Sequence, residues 1–585
     1  MDLKRYLGAR RTRRQILGGA AAASLAGAYR TQGVVRAQSD EGGHVQAVVS
    51  AYEEATSAGM AMLEAGGTAA DAAIAIASVL TVVEGWFSSV LGGGTWGLFF
   101  DAAAGEVTSL DGVGPTGANA TREDYEARAD TSGIHQANVP GAWDGWMLWL
   151  DRYGRLDLGE VLAPAIDLAR NGFEASADLV FWAGILEDEI FEFPGSERIY
   201  AANGSLPEEG DTLVNPHLAE TFDALVAAYD GALPQSRTAA VQAARDYYYR
   251  GPIAEAIVAF SDEHDGYLTL DDFAGFSAAI VRPVSILYHD NISVYQNPPN
   301  SQGVTMLLGL NILKGMGLAD YDIDDPDAVH MQIEAVKLAF ADRNAFIGDP
   351  ARVEIPLDVL LSDEYAAAQR ERIDLNRALE WPIEAGAARR DVPGHTTTFQ
   401  IVDRYGNAAS VTTSLGAQFL VIDGTGIHMN NRMRMLSVEE GNVNELTPGY
   451  KVRHTSCPYL SLRDGRPYIL GGNTGVDTQP QGQLQQFLSV VEFGLDAQEA
   501  IDRPRWVSSA FPSTAHPWRV GNQLQMQRGF SPTLLSILQV KGHDIVIGEG
   551  IFGAASMLIV DPDGQDADVG AEPSLGTSSG EVVRP

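Results

Sequence analysis

The sequence predicts a mixed α+β fold for this 585-residue chain. Three observations carry that prediction. Helix-period apolar runs with recognisable caps recur between residues 51 and 346. Short strand-like runs around tight turns, the mark of antiparallel hairpins, concentrate after residue 396. No internal repeat is found, so the chain is not read as a solenoid or propeller.

Taken in order, residues 46–85 read as two helices, the first over 51–65 and stopped by Gly66-Gly67. Thr68 caps the second, which runs to about Val83. Residues 91–100 read as a glycine loop entering a strand, with 107–110 as its hairpin partner. Residues 142–150 and 160–170 are helical, the second stopped by Gly172. Residues 284–295 are strand-like, and the loop 297–303 feeds a helix to about Met316. Asp325-Pro326, a cap followed by proline at the first helical position, starts a helix that runs to about Phe346. Residues 362–393 read as a charged surface linker. Beyond it, 397–402 and 407–413 are strands around Arg404-Tyr405-Gly406, and 459–462 pairs with 468–470. Residues 483–493 are helical, and Ser531-Pro532 opens another helix. Strands over 544–547 and 556–560 precede an acidic tail, 562–585, expected to be disordered.

The chain carries 40 basic and 77 acidic residues, a net charge of −37. That balance argues against nucleic acid as a partner, because phosphate binding needs a basic surface. Only five of the basic residues are lysine. Such a surface suits a high-salt setting, and GC-rich coding with ordinary acidity would also produce it. The lone cysteine, Cys457, excludes an intrachain disulfide and any multi-cysteine metal site, and it reads as a buried thiol. Thr12-Arg13-Arg14-Gln15-Ile16-Leu17, an apolar stretch over 18–28 and Val35-Arg36-Ala37 form a twin-arginine export signal, residues 1–37. The apolar stretch is too short and too rich in Gly and Ala to be a stable membrane anchor. The mature protein is therefore expected in the periplasm or outside the cell.

Several motifs do not carry chemistry. Gly576-Thr577-Ser578-Ser579-Gly580 matches the serine-hydrolase elbow but lacks the strand–turn–helix setting that the elbow needs. Asp262-Glu263-His264-Asp265-Gly266 lacks alternate calcium ligands. Asp561-Pro562-Asp563-Gly564 is a hairpin turn. Gly92-Gly93-Gly94 has no P-loop lysine. No zinc-protease pattern is found, and no metal or cofactor is expected.

Gly394-His395-Thr396-Thr397-Thr398-Phe399-Gln400-Ile401-Val402-Asp403 opens a strand on three threonines. By local pattern these are β-branched strand residues. A second reading is chemical. Cleavage before Thr396 would give its hydroxyl an adjacent α-amine, ordinarily of pKa about 8, as a general base. The same hydroxyl could first attack the carbonyl of His395.

That segment, with Ala408 to Leu415, resembles the small-subunit start of γ-glutamyltranspeptidases. Gly67-Thr68-Ala69-Ala70-Asp71-Ala72-Ala73, Leu91-Gly92-Gly93-Gly94, Val139-Pro140-Gly141-Ala142, Leu162-Ala163-Pro164-Ala165-Ile166 and residues 334–343 resemble its large subunit. Thr425-Gly426-Ile427, Asn430-Asn431 and Arg503-Pro504-Arg505 resemble its small subunit. The resemblance spans nearly the whole mature chain. It implies a four-layer αββα sandwich of the N-terminal-nucleophile hydrolase type, cut into a large subunit (38–395) and a small one (396–585).

The resemblance also implies roles. Thr396 falls on the nucleophile, and Ser414 on a hydroxyl that bonds the nucleophile's amine. Gly475 and Val476 fall on the glycine pair of the oxyanion hole. The departures lie among the substrate-holding residues. Val113 stands where the family has an arginine for the substrate carboxylate, and Met435 where it has an aspartate for the ammonium. His454-Thr455 replaces a serine pair, and Gly416 replaces an asparagine. Arg432, Arg434, Arg453 and His454 would instead make the pocket cationic. The expected activity is acyl cleavage or transfer on γ-glutamyl amides such as glutathione. The alternatives are a cephalosporin-acylase-like hydrolase of glutaryl-like amides, and an unprocessed ligand-binding homologue. The expected partners are a small amide substrate and the two subunits of one precursor.

Overall fold

The protein is described from a computed structural model over residues 43–379, 396–515, 521–548 and 552–585. The strands of its two large sheets are, in chain order, β1 (Gln46–Ser50), β2 (Gly94–Asp101), β3 (Glu106–Gly112), β4 (Ala279–Val281), β5 (Val284–His289), β6 (Ile292–Gln296), β7 (Thr397–Val402), β8 (Ala408–Ser414), β9 (Tyr459–Arg463), β10 (Arg466–Asn473), β11 (Ala555–Val560), β12 (Ala567–Ala571) and β13 (Ser579–Val583). One sheet runs β13-β1-β7-β8-β2-β3-β4 and the other β12-β11-β10-β9-β6-β5, with every neighbouring pair antiparallel. The helices that matter here are α1 (Glu53–Glu64), α2 (Ala69–Val83), α3 (Ala142–Arg152), α4 (Leu158–Asn171), α5 (Ala177–Ile185), α6 (Val304–Leu313), α7 (Pro326–Phe346) and α8 (Thr478–Val491).

The period-2 alternation of the strands separates three apolar layers. Phe99, Phe399, Ile401 and Val411 face α2 and α3. Leu98, Phe100 and Val402 turn the other way and meet Leu460, Leu470 and Leu558 of the second sheet. The outer face of that sheet, with Val294, Ile469 and Met557, packs on α6, α7 and α8. The order is helix, sheet, sheet, helix, the four layers that the family resemblance implies. Helix α2 is buried along its whole length, so it is apolar nearly all round. Thr68 and Asp71 form its capping box, and Asp71 also accepts from the Arg155 N–H at 2.9 Å.

Antiparallel register sets the position of the candidate site. Thr397 pairs with Thr413, and Ser414 pairs with Gly94. The start of β7, the end of β8 and the start of β2 therefore meet at one end of the first sheet.

Four expectations are corrected. Strand β1 precedes the first helix, because Gln46–Ser50 is buried on both faces and so does not alternate. Residues 284–295 are a hairpin, β5 and β6, and not one strand. Part of the expected linker is helix, Asp363–Arg370, while 380–395 lie outside the described residues. The tail is ordered structure. Strand β12 pairs with β11, and β13 pairs with β1 along Gln46↔Val583 to Ser50↔Ser579. Its acidic residues sit at the sheet edge, where composition alone hides the strand. The turn at Asp561 is borne out, with the Gly564 N–H donating to the Asp561 carbonyl at 2.9 Å.

Candidate active site

Thr396 is buried at the mouth between the sheets, only 2% exposed. Its Oγ1 donates to Ser414 Oγ at 3.2 Å and accepts from Gln479 Nε2 at 3.3 Å. Ser414 Oγ in turn accepts from the Gly416 N–H at 3.3 Å. Gln479 lies in the first turn of α8, and its Oε1 accepts from the Cys457 thiol at 3.6 Å. Burial pushes that thiol up to about 12. Cys457 is therefore a protonated donor at neutral pH and no rival nucleophile. His395, the residue before the expected cut, lies outside the described residues.

Gly475 and Val476 form the turn into α8, with φ of +92° and +48°. Left-handed backbone is ordinary for glycine and strained for a β-branched residue. Strain of this kind collects at functional sites. The turn is fixed by Thr478 Oγ1, which donates to the Gly475 carbonyl at 2.7 Å, and by Gln302 Nε2, which donates to the Val476 carbonyl at 2.8 Å. Among the described residues, neither the Gly475 nor the Val476 N–H has an acceptor. Two free N–H groups ahead of a helix N-terminus suit a developing oxyanion. The glycine run at the start of β2 has a steric cause: a Cβ on Gly92 would stand 1.8 Å from the His428 carbonyl oxygen.

The family model for gamma-glutamyltranspeptidase matches residues 55–579. The chain belongs to the gamma-glutamyltranspeptidase family. It is 33% identical to the glutathione hydrolase-like YwrD proenzyme of Bacillus subtilis, over 89% of this chain and 96% of that protein. It is 28% identical to the glutathione hydrolase proenzyme of Escherichia coli, over 88% of each. The solved cephalosporin acylase of Bacillus halodurans superposes with a TM-score of 0.80 at 31% identity, covering 92% of this chain and 96% of that one. The chain is thus an enzyme of the gamma-glutamyltranspeptidase family, with the N-terminal-nucleophile hydrolase fold.

Arg432 is 1% exposed, and among the described residues its one side-chain bond runs from Nη1 to Thr455 Oγ1 at 3.3 Å. Its Nε and Nη2 are buried without a partner among those residues. Burial pulls the guanidinium down to about 9, so it remains charged at neutral pH. Arg453 is also buried and held down to about 9, first by burial and then by Arg343. Its Nη1 donates to the Ile347 carbonyl at 3.4 Å. Arg434 is half-buried beside these residues and has partners of its own. His454 is neutral, held well below the usual imidazole range by burial and then by the cationic Arg432 and Lys451. Its Nδ1 accepts from the Ser456 N–H at 3.2 Å, while Nε2 is buried without a partner. With Nδ1 as acceptor, the proton sits on Nε2. That N–H lies beside Gly94, as does Val113. A donor therefore stands close to Val113.

Met435 provides no anion, since it packs with Tyr125, Tyr267, Met433 and Val452. Gly416 has φ +116°, and a Cβ there would stand 1.8 Å from Asn431 Oδ1. The amide of Asn431 thus fills the space beside Gly416.

Sequence reasoning missed three residues. Gln479 touches the candidate nucleophile from 83 positions away. Glu84 and Asp178 share a cavity of about 290 Å³ with Thr396, Thr397 and Thr398. Among the described residues the grouping able to hold a metal is His330, Glu334 and His543. Its atoms are engaged already: His330 Nδ1 with His543 Nε2 at 2.8 Å, and Glu334 Oε1 with Lys337 Nζ at 2.7 Å. It also holds Asp374 and Leu379, through the Asp374 carbonyl at 2.9 Å and the Leu379 N–H at 2.6 Å. The cluster reads as a buried polar tether.

Proposed function

We propose that this enzyme is exported, cuts itself between His395 and Thr396, and hydrolyses amides through an acyl-enzyme on Thr396. The acyl group we favour carries a carboxylate and needs no free amine. The freed α-amine takes the Oγ1 proton as Oγ1 attacks the amide carbonyl. The Gly475 and Val476 N–H groups receive the oxyanion, the amine departs with the proton, and water releases the acid. The relatives from Bacillus subtilis and Escherichia coli are both named proenzymes, which supports the cut. The twin-arginine segment of the sequence supports export.

One observation carries the acyl preference: Arg432 is a buried cation with two unused donors and no carboxylate partner. A charge held there without an anion is unfavourable, so a substrate carboxylate completes it. Met435, packed in an apolar cluster, itself offers no anion to an α-ammonium. The resemblance to a cephalosporin acylase favours the same reading. The test is hydrolysis of glutaryl and γ-glutamyl anilides side by side. A higher kcat/KM for glutaryl is expected, and a clear preference for γ-glutamyl would reject the acyl assignment. Separately, a denaturing gel is expected to resolve two fragments for the wild type and one for Thr396→Ala.

A further inference from the structure

The cavity that contains Thr396 is lined by neither Arg432, Arg453 nor His454. Its charged groups differ from theirs. Glu84, at the C-terminal end of α2, and Asp178, on α5, both line it. Glu84 is 4% exposed, and its Oε2 is buried without a partner. Neither carboxylate forms an ion pair among the described residues. Arg505, the cation on the wall, is engaged by Glu572 at 2.7 Å. Burial, and then Asp178, raises Glu84 above the usual carboxylate range, and burial raises Asp178 to about 6.

Among the hydroxyl and small residues of the remaining wall stand four aromatic side chains. Phe87 and Trp182 meet edge to face at 5.0 Å, Phe552 is buried opposite the solvent, and Phe181 stands at the rim, 54% exposed. A bare metal ion would leave most of 290 Å³ unfilled. Carboxyl groups set among aromatic faces suit an organic cation, whose charge favours their ionised form and which also gains from the ring quadrupoles.

We propose that this cavity is a subsite for an organic ammonium group carried on the amine side of the scissile amide. The inference rests on the reading of Thr396 as nucleophile, since Thr396 is the wall that joins this cavity to the chemistry. The enzyme then sorts its substrate by charge. The acyl carboxylate goes to Arg432, and the cationic part of the leaving or accepting amine goes to Glu84 and Asp178. Only binding is assigned to these acids, and no proton is moved by them.

A binding experiment tests this without requiring turnover. Benzylammonium and benzyl alcohol, similar in shape but one cationic and the other neutral, are titrated into the full-chain protein at pH 7.5 and followed by saturation-transfer NMR and Trp fluorescence. The ammonium is expected to bind at least tenfold more tightly. Glu84→Gln and Asp178→Asn are each expected to reduce that preference at least threefold. Equal binding of the two probes would overturn the proposal. So would a preference unchanged in Asp178→Asn, a half-buried position that tolerates the isostere should Glu84→Gln fail to fold. If the preference holds while no anilide is cleaved, the subsite stands and the proposed activity falls. If anilides are cleaved with no preference for the cation, the reverse is true.

Discussion

Gln479 Nε2 donates to Thr396 Oγ1 at 3.3 Å, which occupies one lone pair of the hydroxyl and directs its hydrogen to Ser414. Gln479 acts here by positioning. Replacing it with leucine keeps the volume and removes the bond. A typical hydrogen bond contributes about 0.5–1.5 kcal/mol, so kcat is expected to fall roughly two- to tenfold. KM should stay within about a factor of two, because Gln479 is given no contact with the acyl carboxylate. Steady-state kinetics on an accepted anilide checks the split. A rise in KM with kcat intact would reject the positioning role.

Gly475→Ala probes the turn into α8. The new Cβ would stand 2.4 Å from Thr478 Oγ1, at a φ of +92°. Thr478 itself anchors the turn, so relief at one atom loosens another. Stability should drop by about 1–2 kcal/mol from the left-handed backbone alone. The alanine keeps its N–H, so kcat should fall only as far as the shifted turn re-aims that donor, by up to about 10²-fold. Thermal unfolding with single-turnover kinetics checks both, and a destabilised variant with full kcat would show that the geometry of this turn does not limit the chemistry.

Local signals were legible where neighbours in sequence decide the structure. Asp325 caps α7 as expected, its side chain accepting from the Asp327 N–H at 2.8 Å. Gly172 ends α4 with φ +113°. The segment around Thr396 stands out only through its resemblance, since three threonines by themselves read as strand. What stayed hidden depends on distant pairing. Strand β13 exists because β1 offers it an edge more than five hundred residues earlier. Only the fold places Glu84 in one cavity with Thr397 and Asp178. The approach of His454 to Gly94 and of Asn431 to Gly416 stayed hidden, because it needs separate loops to meet.

His428 should make stability pH-dependent. It is fully buried, its Nε2 lies 2.8 Å from the Tyr200 hydroxyl, and burial pushes it down to about 3. In the unfolded chain an imidazole takes its proton near 6.5. Between these values the unfolded state binds the extra proton, so folding weakens as pH falls from about 6.5 towards 3. The slope is about 1.4 kcal/mol per pH unit, or roughly 2 kcal/mol at pH 5. His428→Gln retains a partner for Tyr200 and lacks the titration. Its melting temperature should fall less than that of the wild type between pH 7 and pH 5. Parallel losses in the two proteins would exclude His428 as a source.

Arg432→Met separates a binding cation from a structural one. A guanidinium that serves the fold is paired, and breaking the pair destabilises by about 3–5 kcal/mol. Arg432 has no such pair, and its Nε and Nη2 are buried without acceptors. An unbranched apolar side chain in its place removes an uncompensated buried charge, so melting temperature should stay level or rise. The same change removes the proposed anchor for the acyl carboxylate. A charged hydrogen bond of about 1.5–3 kcal/mol lost from binding corresponds to roughly 10- to 150-fold in KM. Opposite signs in stability and affinity are the signature of a residue kept for its ligand. A less stable variant with unchanged KM for glutaryl anilide would assign Arg432 to the scaffold and leave the acyl pocket without its cation.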